Sequence, residues 1–120
     1  MNSITLKDAL SRFEDCWSPR ILADVNGQHI KLAKLSGGFH WHSHSDADEM
    51  FLVVEGVLDM EFRDKTVELK EGDMLVVPRG VEHRPVAKPE CSVLLVETAG
   101  VVNTGDGDET EQSTSGTWLD

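Results

Sequence analysis

The sequence predicts an all-β domain, a sandwich or barrel, preceded by one short helix. Three observations carry that expectation. From Arg20 onward, short segments rich in Val, Ile and Leu are separated by Gly, Pro or Asn-Gly turns. Over residues 57–63, Leu58, Met60 and Phe62 alternate with Asp59, Glu61 and Arg63, the period of a half-buried strand. Before Ser18-Pro19 the pattern is different: Leu6, Ala9, Leu10 and Phe13 recur at spacings of three and four, as on one face of a helix.

Taken in order, Thr5 followed by Asp8 resembles a capping box that would start the helix, and Ser18-Pro19 stops it. Strands are expected over 20–25, 28–35, 39–42, 50–55, 57–63, 66–69, 74–77, 82–86 and 93–98. Asn26-Gly27 is the strongest hairpin signal. Glu55-Gly56, Asp64-Lys65 and Glu71-Gly72-Asp73 mark further reversals. Met50-Phe51-Leu52-Val53-Val54 is apolar on both faces, so it must be covered twice, by its own core and by the helix or a second subunit. Residues 103–120 carry five acids and no base among Gly, Ser and Thr. Such a segment cannot bury enough apolar surface to offset its ordering entropy and is expected to be a flexible tail. Trp118-Leu119 is its one pair able to seat in a groove. The chain therefore divides into an N-terminal helical arm over 1–19, a β domain over 20–102 and an acidic tail over 103–120.

Length and charge narrow the function. A chain of 120 residues holds one domain. With 11 Lys and Arg against 22 Asp and Glu, a net charge of −11 repels nucleic acid and anionic membrane surfaces. No apolar run approaches the roughly 20 residues that span a bilayer. The N-terminus lacks the basic and apolar regions of a signal peptide, and Cys16 and Cys91 make no disulfide framework, so a reduced cytoplasmic protein is expected. Of the five histidines, His29 beside the Asn26-Gly27 turn is expected to be a bystander.

The other four fall in two linked motifs. His42-Ser43-His44 puts two imidazoles two residues apart, a spacing that turns both to one face of a strand. Glu49 and Gly56 follow, so a carboxylate on the next strand can close on the same point. Gly72, Pro78, Gly80 and His83 then deliver a third imidazole after a turn. Three neutral imidazoles and one carboxylate suit one divalent transition metal such as Fe, Mn, Ni or Zn, leaving two adjacent positions open on an octahedral ion. His42, His44, Glu49 and His83 are the expected ligands. His40 shares their parity and is expected to line the pocket, as a supporting group or general base. Asp46 and Asp48 belong to a solvated loop, Arg79 to the surface, and Arg84 has opposite parity to His83.

The run from Gly38 through His42-Ser43-His44 and Glu49 to Gly56 resembles the first cupin motif, and Gly72 to His83 resembles the second. The fifteen intervening residues match the short spacing of small single-domain cupins. Two positions depart: Ala87 stands where Asn is usual, and Gly37 and Gly38 come later than the leading glycine. The resemblance implies a double-stranded β-helix, a small jelly roll with the metal in one mouth, commonly paired as a homodimer. It also implies a choice of activities on a small-molecule ligand. One is a metal-dependent isomerase or lyase acting on a small polar substrate such as a sugar or organic acid. A phosphosugar is disfavoured because no arginine is expected to face the metal. Another is an Fe(II)-dependent dioxygenase, though the absence of Tyr excludes the variant built on a Cys–Tyr crosslink. The third is a non-catalytic ligand-binding module.

Overall fold

Asn26 and Gly27 both adopt positive φ, 53° and 79°, the pair of left-handed conformations that a type I′ turn requires. A computed structural model, which describes residues 2–107, 110 and 113–120, shows that turn joining β1 (Arg20–Val25) to β2 (Gln28–Gly38) as an antiparallel hairpin. The remaining strands are β3 (Glu49–Phe62), β4 (Thr66–Leu69), β5 (Met74–Val77), β6 (His83–Thr98) and β7 (Thr117–Trp118). They form one sheet in the order β4-β3-β6-β2-β1-β7, with β5 also paired to β3. β5 takes the first half of β3 and β4 the second, while β6 runs along its other edge. The sheet rolls into a β-barrel around Ala33, Leu35, Phe51, Val53, Leu58, Met60, Leu69, Val77, Val93 and Leu95.

The reversal expected at Glu55-Gly56 is a bulge within a longer strand. Residues 49–62 form one strand because Gly56, at φ +84°, absorbs the irregularity in place. The β3–β6 register shifts on either side of it, between Val53 and Glu55 and between Gly56 and Leu58. A Cβ at Gly56 would lie 2.5 Å from the Glu90 carbonyl oxygen, so a side chain is excluded. Residues 83–98 are likewise one strand rather than two. Cys91 pairs with Gly56 inside this bulge and is buried, which pushes its thiol up to about 11.

At the N-terminus, the helix α1 spans only Leu6–Leu10, and Thr5 makes no side-chain cap, so the capping box does not form. Asp8 instead pairs with Arg12 one turn on. Ala9, Leu10 and Phe13 pack on Leu32, with Leu22, Val54 and Leu94 around them. The helix thus supplies the outer covering of β3 at Val54. Each apolar side chain so buried contributes about 1.5–3 kcal/mol.

The expectation of an unpacked tail is corrected at its described residues. Thr117 and Trp118 pair in parallel with Arg20 and Ile21, and Leu119 N–H donates to the Ile21 carbonyl at 3.0 Å. Leu119 joins the helix cluster, while Trp118 stays half exposed with its edge toward His29. Thr104 is buried, and Asp106 hydrogen-bonds the 43–45 loop. Backbone pairing, which composition does not report, supplies the order. No helix among the described residues is long and apolar enough to cross a membrane.

Candidate metal centre

His42 and His83 face one another across an isolated bridge, each backbone N–H donating to the other's carbonyl at 3.0 and 2.9 Å. The expected strand over 39–42 is reduced to this bridge and to Phe39 N–H donating to Pro85. His44 follows on the loop, and Glu49 opens β3. One donor atom from each of His42, His44, Glu49 and His83 lies within 4.8 Å of the other three, and all four residues are buried. Glu49 Oε1 stands 3.6 Å from His44 Nε2 and 3.5 Å from His83 Nε2, too far for hydrogen bonds. These three atoms have no hydrogen-bond partner in the protein. Buried polar atoms are ordinarily satisfied, so orphans converging on one point fit an ion bound among them.

The rings are set up for that role. The Nδ1 atoms of His42 and His83 lie 2.9 Å from the carbonyls of His40 and Val81, which assigns their protons to Nδ1 and leaves Nε2 as acceptor. Burial, with His83 nearby, lowers His42 to about 4, so its imidazole is neutral at physiological pH. For Glu49, burial pushes the carboxyl up. The polar groups facing it, Glu97, His44 and His83, outweigh that and hold the group well below the usual carboxylate range.

Sequence reasoning did not single out Glu97 or Lys31. Glu97 is the register partner of Glu49 across β3 and β6. Lys31 Nζ stands 2.8 Å from Glu97 Oε1, and the two side chains are 1% and 2% exposed. Burial, then the facing Glu49 carboxyl, pushes Glu97 up to about 9. The two facing carboxyls are thus shifted in opposite directions, Glu49 down and Glu97 up. A signal existed: Glu97 shares the inward parity of Val93 and Leu95, and Lys31 that of Ala33 and Leu35.

His40 is corrected. It is exposed, its ring set against Phe39 at 4.7 Å, and it does not line the cavity; its carbonyl accepts from the His42 Nδ1. Phe39 and His42 are both buried despite opposite parity, so the chain twists between them. Asp46 and Asp48 are exposed, and Asp48 accepts from the Arg79 N–H and Nε. Arg84 is paired with Glu61, and His29 lies 3.5 Å from Asp24.

A cavity opens onto His42 and Glu49. Its walls are Trp17, Leu35, Phe39, Phe51, Val93 and Leu95, with Asn103 contributing a polar group. Trp17 and Phe39 stack at 4.5 Å, and the Trp17 indole N–H is spent on the Ser36 carbonyl. The cavity volume is about 40 Å³, room for about three waters at roughly 10–15 Å³ each.

Comparison with known proteins agrees with this geometry. The cupin domain profile matches residues 28–97, and the chain belongs to that family. It is 46% identical to a cupin-2 domain containing protein from Shewanella frigidimarina, whose crystal structure superposes with a TM-score of 0.78 over 79% of this chain and 93% of that one. It is 44% identical over 77 residues to the uncharacterized protein YdbB of Bacillus subtilis, covering 63% of this chain and 68% of YdbB. An acireductone dioxygenase of Puccinia graminis is 34% identical over 91 residues, 70% of this chain but 47% of the relative.

Proposed function

We propose that this chain is a metal-dependent enzyme in which His42, His44, Glu49 and His83 hold one divalent transition metal, Fe, Mn, Ni or Zn. The substrate is a small organic acid with one chelating end and an apolar remainder. The observation that carries this reading is an aromatic, apolar cavity that opens onto His42 and Glu49, two members of a cluster of four buried donor groups. Bound there, the ion would supply Lewis-acid polarisation of a substrate oxygen. Trp17, Phe39 and Phe51 would hold the substrate's apolar part and exclude water. Of the substrates expected from the sequence, a sugar fits poorly, because each hydroxyl buried without a partner costs about 1–3 kcal/mol.

Metal analysis of untagged protein purified without added metal tests the first half of the reading. One ion per chain, lost in Glu49→Ala and His83→Ala, is the expected result; full metal content in both variants refutes the ligand set. For the second half, lactate and glycerate share a chelating head and differ by one hydroxyl. On the Co(II)-loaded protein, lactate should perturb the visible spectrum at a concentration roughly 5–100-fold lower. A preference for glycerate refutes the apolar assignment. The likeness to acireductone dioxygenase favours a second reading, an Fe(II)-dependent dioxygenase, for which oxygen uptake must track iron content and stop when zinc replaces it.

A further inference from the structure

Three neighbouring strands each send one ionisable side chain into the same buried row: Glu49 from β3, Glu97 from β6 and Lys31 from β2. Lys31 and Glu97 are the only member pair of that row outside the metal cluster. Lys31 Nζ holds Glu97 Oε1 at 2.8 Å, and Glu97 stands directly across the β3–β6 register from Glu49, both side chains buried and Glu97 Oε2 without another hydrogen-bond partner. The row is sealed from outside by the C-terminal segment. Gly116, at φ +98°, favours glycine, and a Cβ there would meet Lys31 Cε at an ordinary contact distance of 3.5 Å and Ile21 Cγ1 at a tight 3.2 Å.

Fold stability does not call for such a pair. Burying a lysine and a carboxyl is costly, and apolar residues of similar volume do as well or better. What an apolar pair cannot do is offer the Glu49 carboxyl a polar partner. A carboxylate opposite two imidazoles needs a fixed orientation to present one oxygen to an ion, and groups behind it that hydrogen-bond it provide one.

We propose that Lys31 and Glu97 are positioning residues for the metal centre: Lys31 fixes Glu97, and Glu97 fixes Glu49 with Oε1 aimed at the point where the three imidazoles converge. They thereby set how tightly, and in what geometry, the site holds a metal. This inference rests on the metal reading of the four-residue cluster.

The test uses the full chain, stripped with chelator and titrated with Co²⁺ against a competing indicator. The Co(II) visible spectrum and the thermal stability of the metal-free form are recorded alongside. The double variant Lys31→Met/Glu97→Met should melt at or above the wild type without metal, yet bind Co²⁺ roughly 10–100-fold more weakly, with shifted visible bands. Glu97→Gln, which keeps a group able to contact both neighbours, should stay within a few-fold of wild type. Wild-type affinity and spectrum in the double variant overturn the proposal, and so does a Glu97→Gln loss as large as that of the double variant. A double variant that does not fold assigns the pair a structural role and overturns it as well. Wild-type protein that binds no Co²⁺ refutes the metal reading itself, which separates the two failures.

Discussion

Raising the pH of the metal-free protein from 6.5 to 8.5 should destabilise it by about 3 kcal/mol. The perturbation acts on Glu97, whose native carboxyl is pushed up to about 9 from an ordinary 4.5 by burial and the facing Glu49 carboxyl. Across this window the native state keeps a proton that the unfolded chain has already released. Rising pH therefore favours unfolding, with a slope near one proton, about 1.4 kcal/mol per pH unit. Glu97 is 2% exposed, so solvent screening does not blunt the effect. His42, lowered to about 4, is neutral in the native state throughout. Cys91, pushed up to about 11, adds a loss of the same sign once the unfolded thiol ionises near its ordinary 9.0, which is why the window ends at 8.5.

The assay is urea unfolding with chelator present, followed by the fluorescence of Trp17, Trp41 and Trp118 at several pH values. In Glu97→Gln the titrating group is gone and the profile should be flat. A flat wild-type profile would refute the reasoning: Glu97 would then be ionised in the native state, with Lys31 as its full counter-ion. Saturating metal should reduce the slope, because an ion on Glu49 favours the ionised row and stabilises the native state by mass action.

Two further outcomes follow from the same site. Below pH 6.5 the native state refuses a proton that the unfolded His42 accepts, so the stability it contributes is complete above 6.5 and lost as the pH falls to about 4. That loss, roughly 3 kcal/mol, should appear as the difference between the wild-type and His42→Gln unfolding profiles; parallel profiles would show that the native His42 titrates normally. Asp106 Oδ2 accepts the Ser45 N–H at 2.7 Å on the loop that carries His44. Asp106→Ala should cost about 1 kcal/mol and speed hydrogen exchange at the Ser45 amide, whereas an unchanged exchange rate would mean that the loop is held by other contacts.

The metal cluster was legible because parity and residue type agree at each of its positions. His42 and His44 share a face, while Glu49 and His83 arrive from strands whose turns the sequence announces. Parity failed at His40, since it presumes a regular strand. Over 39–42 the chain keeps only the His42–His83 bridge, which leaves it free to twist Phe39 inward and the His40 ring outward. Local pattern also misread Glu55-Gly56. A glycine at positive φ reverses a chain only when the partner strand ends there, and here β6 continues past it, so the same conformation makes a bulge.

Lys31, Glu97 and residues 103–120 were hidden for a different reason. A charged residue in a strand is ordinarily solvated, and its burial depends on what two other strands bring to it. A polar segment is ordinarily unpacked, and its docking depends on which backbone groups the barrel leaves open. Both answers lie in long-range pairing: Lys31 meets Glu97 across 66 residues, and Asp106 meets Ser45 across 61. The two are also connected, since Gly116 covers Lys31 while Gly105 lies too close to the Ser43 carbonyl and His42 to tolerate a side chain. Residues 28–97, matched by the cupin profile, hold every metal-cluster residue, but the segment beyond them closes over both the donors and the pair that backs them. Differences between this protein and other cupins in metal affinity are therefore to be sought after residue 97 as well as among the ligands.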